Sequence, residues 1–238
     1  MFLAVIPFYS IMILLALVAN IIVVALISIK YSLVRKEIVC LLLYENVGII
    51  MGAKILTFLQ NYSKLNGEFN FLNLGLTSYG AAMGAVLFLV LFTVQFKKSF
   101  REIIYIFMPS MPLMYGIGKI GCFLAGCCYG IRYNGPGSVV YNYSQSAPKH
   151  IHLFPVQIVE TLFFVGVFIY VIIKSKNNAF SLKTAGISFI LCAFGKFILE
   201  FFRASHRGQI LSLNQIISIL FVFVGIGTIK MHKLLTLT

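Results

Sequence analysis

The sequence predicts an all-α polytopic membrane protein of seven transmembrane helices, with the N-terminus outside and the C-terminus in the cytoplasm. Three observations predict it. Of the 238 residues, 60% are hydrophobic, against about 45–50% in a soluble domain. The apolar residues fall in repeated long runs, and about 18 or more in a row suffice to cross a bilayer as a helix. Basic residues are divided unevenly between the two sets of run ends, which orients such a chain.

The first run extends from Phe2 to about Ser28 without a charge. It has no basic leader and is too long for a signal peptide, so it reads as a retained helix over 3–29. The runs that follow cover 38–59, 77–96, 103–129, 153–173, 184–203 and 209–229, and the sixth is short and carries charge. The longest polar connection, IRYNGPGSVVYNYSQSAPKHIH over 131–152, is rich in Gly, Pro, Asn and Ser and reads as an irregular outer loop. No long linker or internal repeat divides the chain, so 1–238 reads as a single transmembrane domain.

Orientation follows from charge. Eleven basic residues, from Lys30 to Lys233, lie at one set of ends, and five (Lys64, Arg132, Lys149, Arg203 and Arg207) lie at the other. The richer side belongs in the cytoplasm. The net charge of +13 therefore points to loops beside lipid head groups rather than to nucleic acid. Within the helices stand three lysines (Lys54, Lys119, Lys196) and three glutamates (Glu45, Glu160, Glu200). They cancel, as paired buried charges require.

This orientation sets the depth of each polar group. Tyr9, Lys54, Tyr79, Lys119, Gln157, Glu160, Lys196, Glu200, Arg203, Asn214 and Gln215 all fall in the outer half of the bilayer, and Glu45 falls in the inner half. Two readings stand side by side: a polar cavity open to the outer leaflet, or side chains bonding helix to helix. Spacing favours the cavity. Lys196 and Glu200 are i and i+4, Arg203 follows at i+3, and Gln157 and Glu160 are i and i+3, each set on one helical face. Cations gathered with glutamates suit a phosphate-bearing ligand, with a glutamate orienting the cations or moving a proton. A desolvated lysine could also serve as base.

Gly48 with Gly52, Gly80 with Gly84, and Gly126 with Gly130 have small-xxx-small spacing and read as packing positions. Gly121 and Gly126 also let backbone approach a head group. The five cysteines include three in GKIGCFLAGCCYG, residues 118–130. Cys122 and Cys127 have four residues between them and no second pair follows, so the matching half of a zinc module is missing. His150 and His152 could join only if the loop folded back. A disulfide is open to an exterior cluster, but adjacent helical Cys127 and Cys128 point apart, so at most one of them should face Cys122. Packing or pocket lining is the default. No metal and no cofactor are expected.

Taken together, these motifs resemble the prolipoprotein diacylglyceryl transferase family in its cysteine-rich branch. GKIGCFLAGCCYG is similar to the family signature, which usually begins Gly-Arg. Tyr9 in FYSIM matches an early family tyrosine, GAK at 52–54 a Gly-Ala-Arg motif, and GLTSYGAAMG at 75–84 a stretch ending His-Gly-Gly or Tyr-Gly-Gly. FPVQIVE at 154–160 resembles HPTQLYE. FGKFILEFFR at 194–203 and LSLNQIISI at 211–219 match the remaining motifs in order.

The resemblance implies an enzyme of the bacterial cytoplasmic membrane, multi-pass, that uses phosphatidylglycerol or a related phospholipid. It would transfer the diacylglyceryl group to the lipobox cysteine of a secreted preprolipoprotein, forming a thioether and releasing glycerol-1-phosphate. Lys119 and Lys196 would bind the glycerophosphate with help from Arg203, and Glu200 would position Lys196. Tyr79 would act as acid or base, or relay to a lysine. Lys54, Gly121, Gly126, Gln157 and Glu160 would shape the substrate site, and Tyr9 would close it. The attacking thiol belongs to the substrate, so the chain's cysteines need not be nucleophiles.

Several positions depart from the pattern. Lys54, Lys119 and Lys196 stand where the family has arginine, Phe154 and Tyr79 stand at histidine positions, and Cys127 stands at an acidic one. Lysine offers a compact charge where arginine offers a bidentate fork. Two alternatives follow: a same-fold paralogue with another peptide or lipid acceptor, and a non-catalytic lipid-binding or transport protein.

Overall fold

The computed structural model describes residues 5–30, 33–62, 75–144, 146–177 and 181–235. Residues 3–4 of the first expected run and Lys64 lie outside them. The chain is a mostly helical, multi-pass membrane protein. Among the described residues, seven helical segments are long and apolar enough to span a bilayer. Their contacts define two compact units, one of Ile21–Phe107 and one of Met1–Asn20 with Met108–Thr238.

The first unit, Ile21–Phe107, holds residues 21–30 of α1 (Val5–Lys30), together with α2 (Arg35–Asn61), α3 (Ser78–Phe96) and the short α4 (Phe100–Phe107). Glycines decide how α2 meets α3. A Cβ on Gly84 would overlap the Gly48 carbonyl, and one on Gly52 would overlap the Gly80 carbonyl. The two small-xxx-small pairs, expected as packing positions, thus face each other as a backbone-to-backbone seam. Toward the other end of α2, Tyr44 fills the wider gap, donates to Gln95 and sits edge-on to Phe88, Phe92 and Phe96.

The second unit holds residues 5–20 of α1, with α5 (Ser110–Ala125), α6 (Val156–Asn177), α7 (Leu182–Glu200) and α8 (Leu213–Leu235). Consecutive helices α5, α6, α7 and α8 pack in turn. Gly116 lets α5 approach α6, and Thr161 closes the contact by donating to the Gly116 carbonyl at 3.1 Å. Gly186 and Gly225 would each strike the other's carbonyl if they carried a Cβ, which sets α7 against α8. Ser181 caps α7, its hydroxyl accepting from the Thr184 N–H at 3.2 Å.

The fourth expected helix, 103–129, differs from the observed elements in two ways. It breaks at Met108–Pro109 into α4 and α5, because proline cannot donate into the helical ladder. It also ends at Ala125, where Gly126 turns left-handed at φ +68°. The Gly126 N–H bonds the Phe123 carbonyl and the Cys127 N–H bonds the Cys122 carbonyl, terminating the helix. Similarly, α7 stops at Glu200 rather than 203, and α8 starts at Leu213 rather than 209.

The 131–152 segment carries structure of its own. Strand β1 (Val139–Val140) pairs antiparallel with β2 (His152–Leu153). Isolated bridges join Arg132 to Leu153 and Gly130 to Arg203. Ser144 ties this loop to the end of α5, donating toward the Ala125 and Gly126 carbonyls at 3.2 Å each and accepting from the N–H groups of Ser146 and Ala147.

Candidate active site

The second unit contains a buried ionic cluster assembled from three helices and the segment after α7. Glu160, on α6, is its hub and is fully buried. Lys119, one helix back, reaches Oε2 at 2.8 Å, and Lys196, one helix on, reaches Oε1 at 3.1 Å. Tyr115 lies one turn before Lys119 on the same face of α5. Its hydroxyl donates to Glu160 Oε1 at 2.9 Å and accepts from Lys196 Nζ at 2.6 Å. Both ammonium groups also lie 5.1 Å from the centre of the Tyr115 ring, within cation–π range.

Glu200 forms the second node. Its Oε2 faces Arg203 at 3.3 Å and Lys196 at 3.7 Å. Its Oε1 accepts from Asn214 at 2.8 Å and from the Ser212 hydroxyl at 3.5 Å. Lys196 thus sits closer to Glu160 than to its own i+4 neighbour. The close α6–α7 contact at Gly195 and Phe163 brings the neighbouring helix near, so Lys196 pairs with Glu160 as well as with Glu200.

Three cations and two carboxylates leave a formal surplus of one positive charge in a buried place. Nothing among the described residues satisfies Arg203 Nε, although Arg203 is only 7% exposed. A buried, unpaired N–H beside a positive surplus is a site for an anion's oxygen.

Gln157, one turn before Glu160, is fully buried. Its Nε2 donates to the Cys127 carbonyl at 2.9 Å and toward the Tyr141 hydroxyl at 3.3 Å, and its Oε1 has no partner among the described residues. Burial pushes the Tyr141 phenol up to about 12, so it remains a protonated group. Gly121 is closed against Met12 and Tyr9, and Gly126 against Ser144 and Tyr141. Both glycines therefore serve close packing. Tyr9 lies over α5 within electrostatic reach of the three thiols.

The structure thus gathers Lys119, Lys196, Glu160, Glu200 and Arg203 into one network, with Gln157, Gly121, Gly126 and Tyr9 in the same unit. Lys54 and Tyr79 belong to the other unit. Sequence reasoning passed over Tyr115 and Ser212. The i, i+4 spacing of Tyr115 to Lys119 was the available sign.

The cysteines also depart from expectation. Rather than pointing apart, Cys127 and Cys128 both turn toward Cys122, and the three sulfurs lie within 4.8 Å of one another. The physical reason is the end of α5 at Ala125: beyond it Gly126 and Cys128 take left-handed conformations, φ +68° and +54°, so helical side-chain directions no longer apply.

Comparison with known proteins shows the family. A family model described as prolipoprotein diacylglyceryl transferase matches residues 2–231. A Clostridium perfringens protein named phosphatidylglycerol–prolipoprotein diacylglyceryl transferase 2 is 30% identical over 191 residues, covering 78% of this chain and 75% of its own length. A Clostridium tetani protein named phosphatidylglycerol–prolipoprotein diacylglyceryl transferase is 30% identical over 192 residues, covering 79% and 77%. A Chlorobaculum tepidum protein of the same name is 28% identical over 176 residues, covering 71% and 60%. With the model match running through nearly every helix and both nodes of the ionic cluster, the chain belongs to the prolipoprotein diacylglyceryl transferase family.

Proposed function

We propose that this chain transfers the diacylglyceryl group of phosphatidylglycerol to the lipobox cysteine of a preprolipoprotein. The observation that carries the proposal is the surplus positive charge buried around Glu160 and Glu200, with the unpaired Arg203 Nε beside it. In the reaction, the acceptor thiol loses its proton and its sulfur attacks the glyceryl carbon. The carbon–oxygen bond to phosphate breaks, and glycerol-1-phosphate leaves with the electron pair. Charge therefore develops on the phosphate, where fixed cations act most strongly. Lys119, Lys196 and Arg203 hold that phosphate, while Glu160 and Tyr115 keep the two ammonium groups aimed. Gln157 and Tyr9 border the same region. For Tyr79 as acid or base, and for Lys54 as a lipid ligand, the family resemblance is the support.

The same reading places the protein in the bacterial cytoplasmic membrane with its N-terminus outside. The eleven-to-five division of basic residues supports that orientation. It also takes 1–238 as one transferase domain. The test is reconstitution with labelled phosphatidylglycerol and a lipobox peptide, scored for a thioether-linked product. Absence of product under conditions where a relative from Clostridium works would remove the parent reaction.

A second reading is a paralogue with the same chemistry and another acceptor. Its specific support is lysine at 54, 119 and 196, where the family pattern has arginine. Mass spectrometry of secreted peptides from cells with and without the gene separates the two readings.

A further inference from the structure

Cys122, Cys127 and Cys128 have no part in the reaction described above, yet their sulfurs converge within 4.8 Å. Helix termination accounts for two of them. In the turn that ends α5, the residues at Cys122 and Cys127 come together as a matter of backbone geometry. It does not account for Cys128. That residue takes a left-handed backbone, uncommon for a side chain other than Gly, Asn or Asp, and turns its sulfur into the group while remaining exposed.

The turn that carries these thiols is held from both sides. Gln157 donates to the Cys127 carbonyl at 2.9 Å. The Tyr129 carbonyl accepts from the Ala204 N–H at 3.1 Å, and the Ile131 N–H donates to the Phe202 carbonyl at 3.0 Å. Such outer support is what fixes a ligand set in place. Lys119 and Arg203, both in the phosphate-binding cluster, act electrostatically on the Cys128 thiol. The thiol group and the ionic cluster are therefore neighbours.

From this geometry we infer that Cys122, Cys127 and Cys128 form a three-thiolate zinc site whose open fourth position takes the acceptor thiol. The inference rests on the thiol-alkylation reading above. Zinc–sulfur bonds of about 2.3 Å place sulfurs roughly 3.8 Å apart in a tetrahedron, so the thiols need to close by less than about 1 Å. Three protein ligands and one open position mark a catalytic rather than a structural zinc. Three thiolates around a dication carry one net negative charge, within electrostatic reach of Lys119 and Arg203. The histidines of the outer loop do not complete the set: His152 is engaged by Ser138 at 2.9 Å, and no histidine joins the cluster among the described residues.

The chemistry balances. The acceptor thiol binds zinc as its S–H proton passes to water, since a coordinated thiol is deprotonated. Its sulfur attacks the glyceryl carbon, a C–S bond forms, and the C–O bond to phosphate breaks with the electron pair on the phosphate oxygen. Zinc keeps its oxidation state and its three protein sulfurs, and the product thioether, a poorer ligand than a thiolate, departs.

The experiment uses the full chain, purified in detergent with reductant under argon and carrying a tag without histidine. Elemental analysis should find one zinc per chain. Cys122→Ser, Cys127→Ser and Cys128→Ser should each lower it at least tenfold, while Cys40→Ser and Cys192→Ser should keep it. Thermal melts show which variants remain folded. Independently of any variant, Co2+ exchanged into the wild-type protein should show the absorption of tetrahedral thiolate coordination. A lipobox peptide should shift those bands, and its Cys→Ser analogue should not. Metal-free protein under reducing conditions, a disulfide within the trio in the isolated protein, or cobalt bands indifferent to the peptide would each overturn the site. Metal content and cobalt spectra are read without turnover, so failure of the transfer assay and failure of the zinc site are distinguishable.

Discussion

Lys196 Nζ lies 3.1 Å from Glu160 Oε1 on the neighbouring helix, yet 3.7 Å from Glu200 on its own. The cluster is therefore tied across helices, and its integrity depends on the α6–α7 contact. Replacing one member of a buried charge network leaves its partners uncompensated, at about 3–5 kcal/mol.

Glu160→Gln is the sharpest test of that dependence. It keeps the shape, removes the hub charge and leaves three cations facing one carboxylate. The expected outcome is destabilisation of about 3–5 kcal/mol, read in detergent unfolding curves, with transfer activity reduced at least a hundredfold. Unchanged stability would show that the lysines find other partners.

Tyr115→Phe removes only the hydroxyl shared by Lys196 and Glu160. A lost hydrogen bond to charged groups is worth about 1.5–3 kcal/mol, and the ammonium loses its fixed direction. Turnover is expected to fall ten- to a hundredfold with little change in KM for the lipid. A change in KM alone would make Tyr115 a wall residue instead.

Lys119→Met and Arg203→Met remove cations without removing bulk. Both are expected to weaken binding of glycerol-1-phosphate at least tenfold, measured by calorimetry on the detergent-solubilised protein. Equal binding in both variants would place the phosphate elsewhere.

Gly84→Leu tests the first unit by itself. Its side chain would enter the space of the Gly48 carbonyl, and overpacking of a close contact costs about 1–3 kcal/mol. The melting temperature should fall, whereas Gly166→Leu, where an added Cβ meets nothing within 4 Å, should leave it unchanged.

Much of this architecture could be read from the chain before its structure. Long apolar runs identify the spans because an unpaired backbone is so costly in lipid. The i, i+4 relation of Lys196 and Glu200 follows from helical geometry alone. The preference of Lys196 for Glu160 does not, since it depends on how closely two helices approach at Gly195 and Phe163. The cysteines illustrate the same limit. Helical spacing sent Cys127 and Cys128 apart, and two left-handed residues, Gly126 and Cys128, reversed that. The proline break at 109 was visible as a residue but hidden inside an unbroken apolar run.

The surplus positive charge around Glu160 has a kinetic consequence. The phospholipid arrives as a phosphodiester with a single negative charge, and the severed glycerol phosphate can carry two. A pocket with fixed extra cations grips the departing fragment harder than the donor it came from. On the proposed reaction, release of the spent head group is expected to be the slow step, and added glycerol-1-phosphate is expected to inhibit turnover.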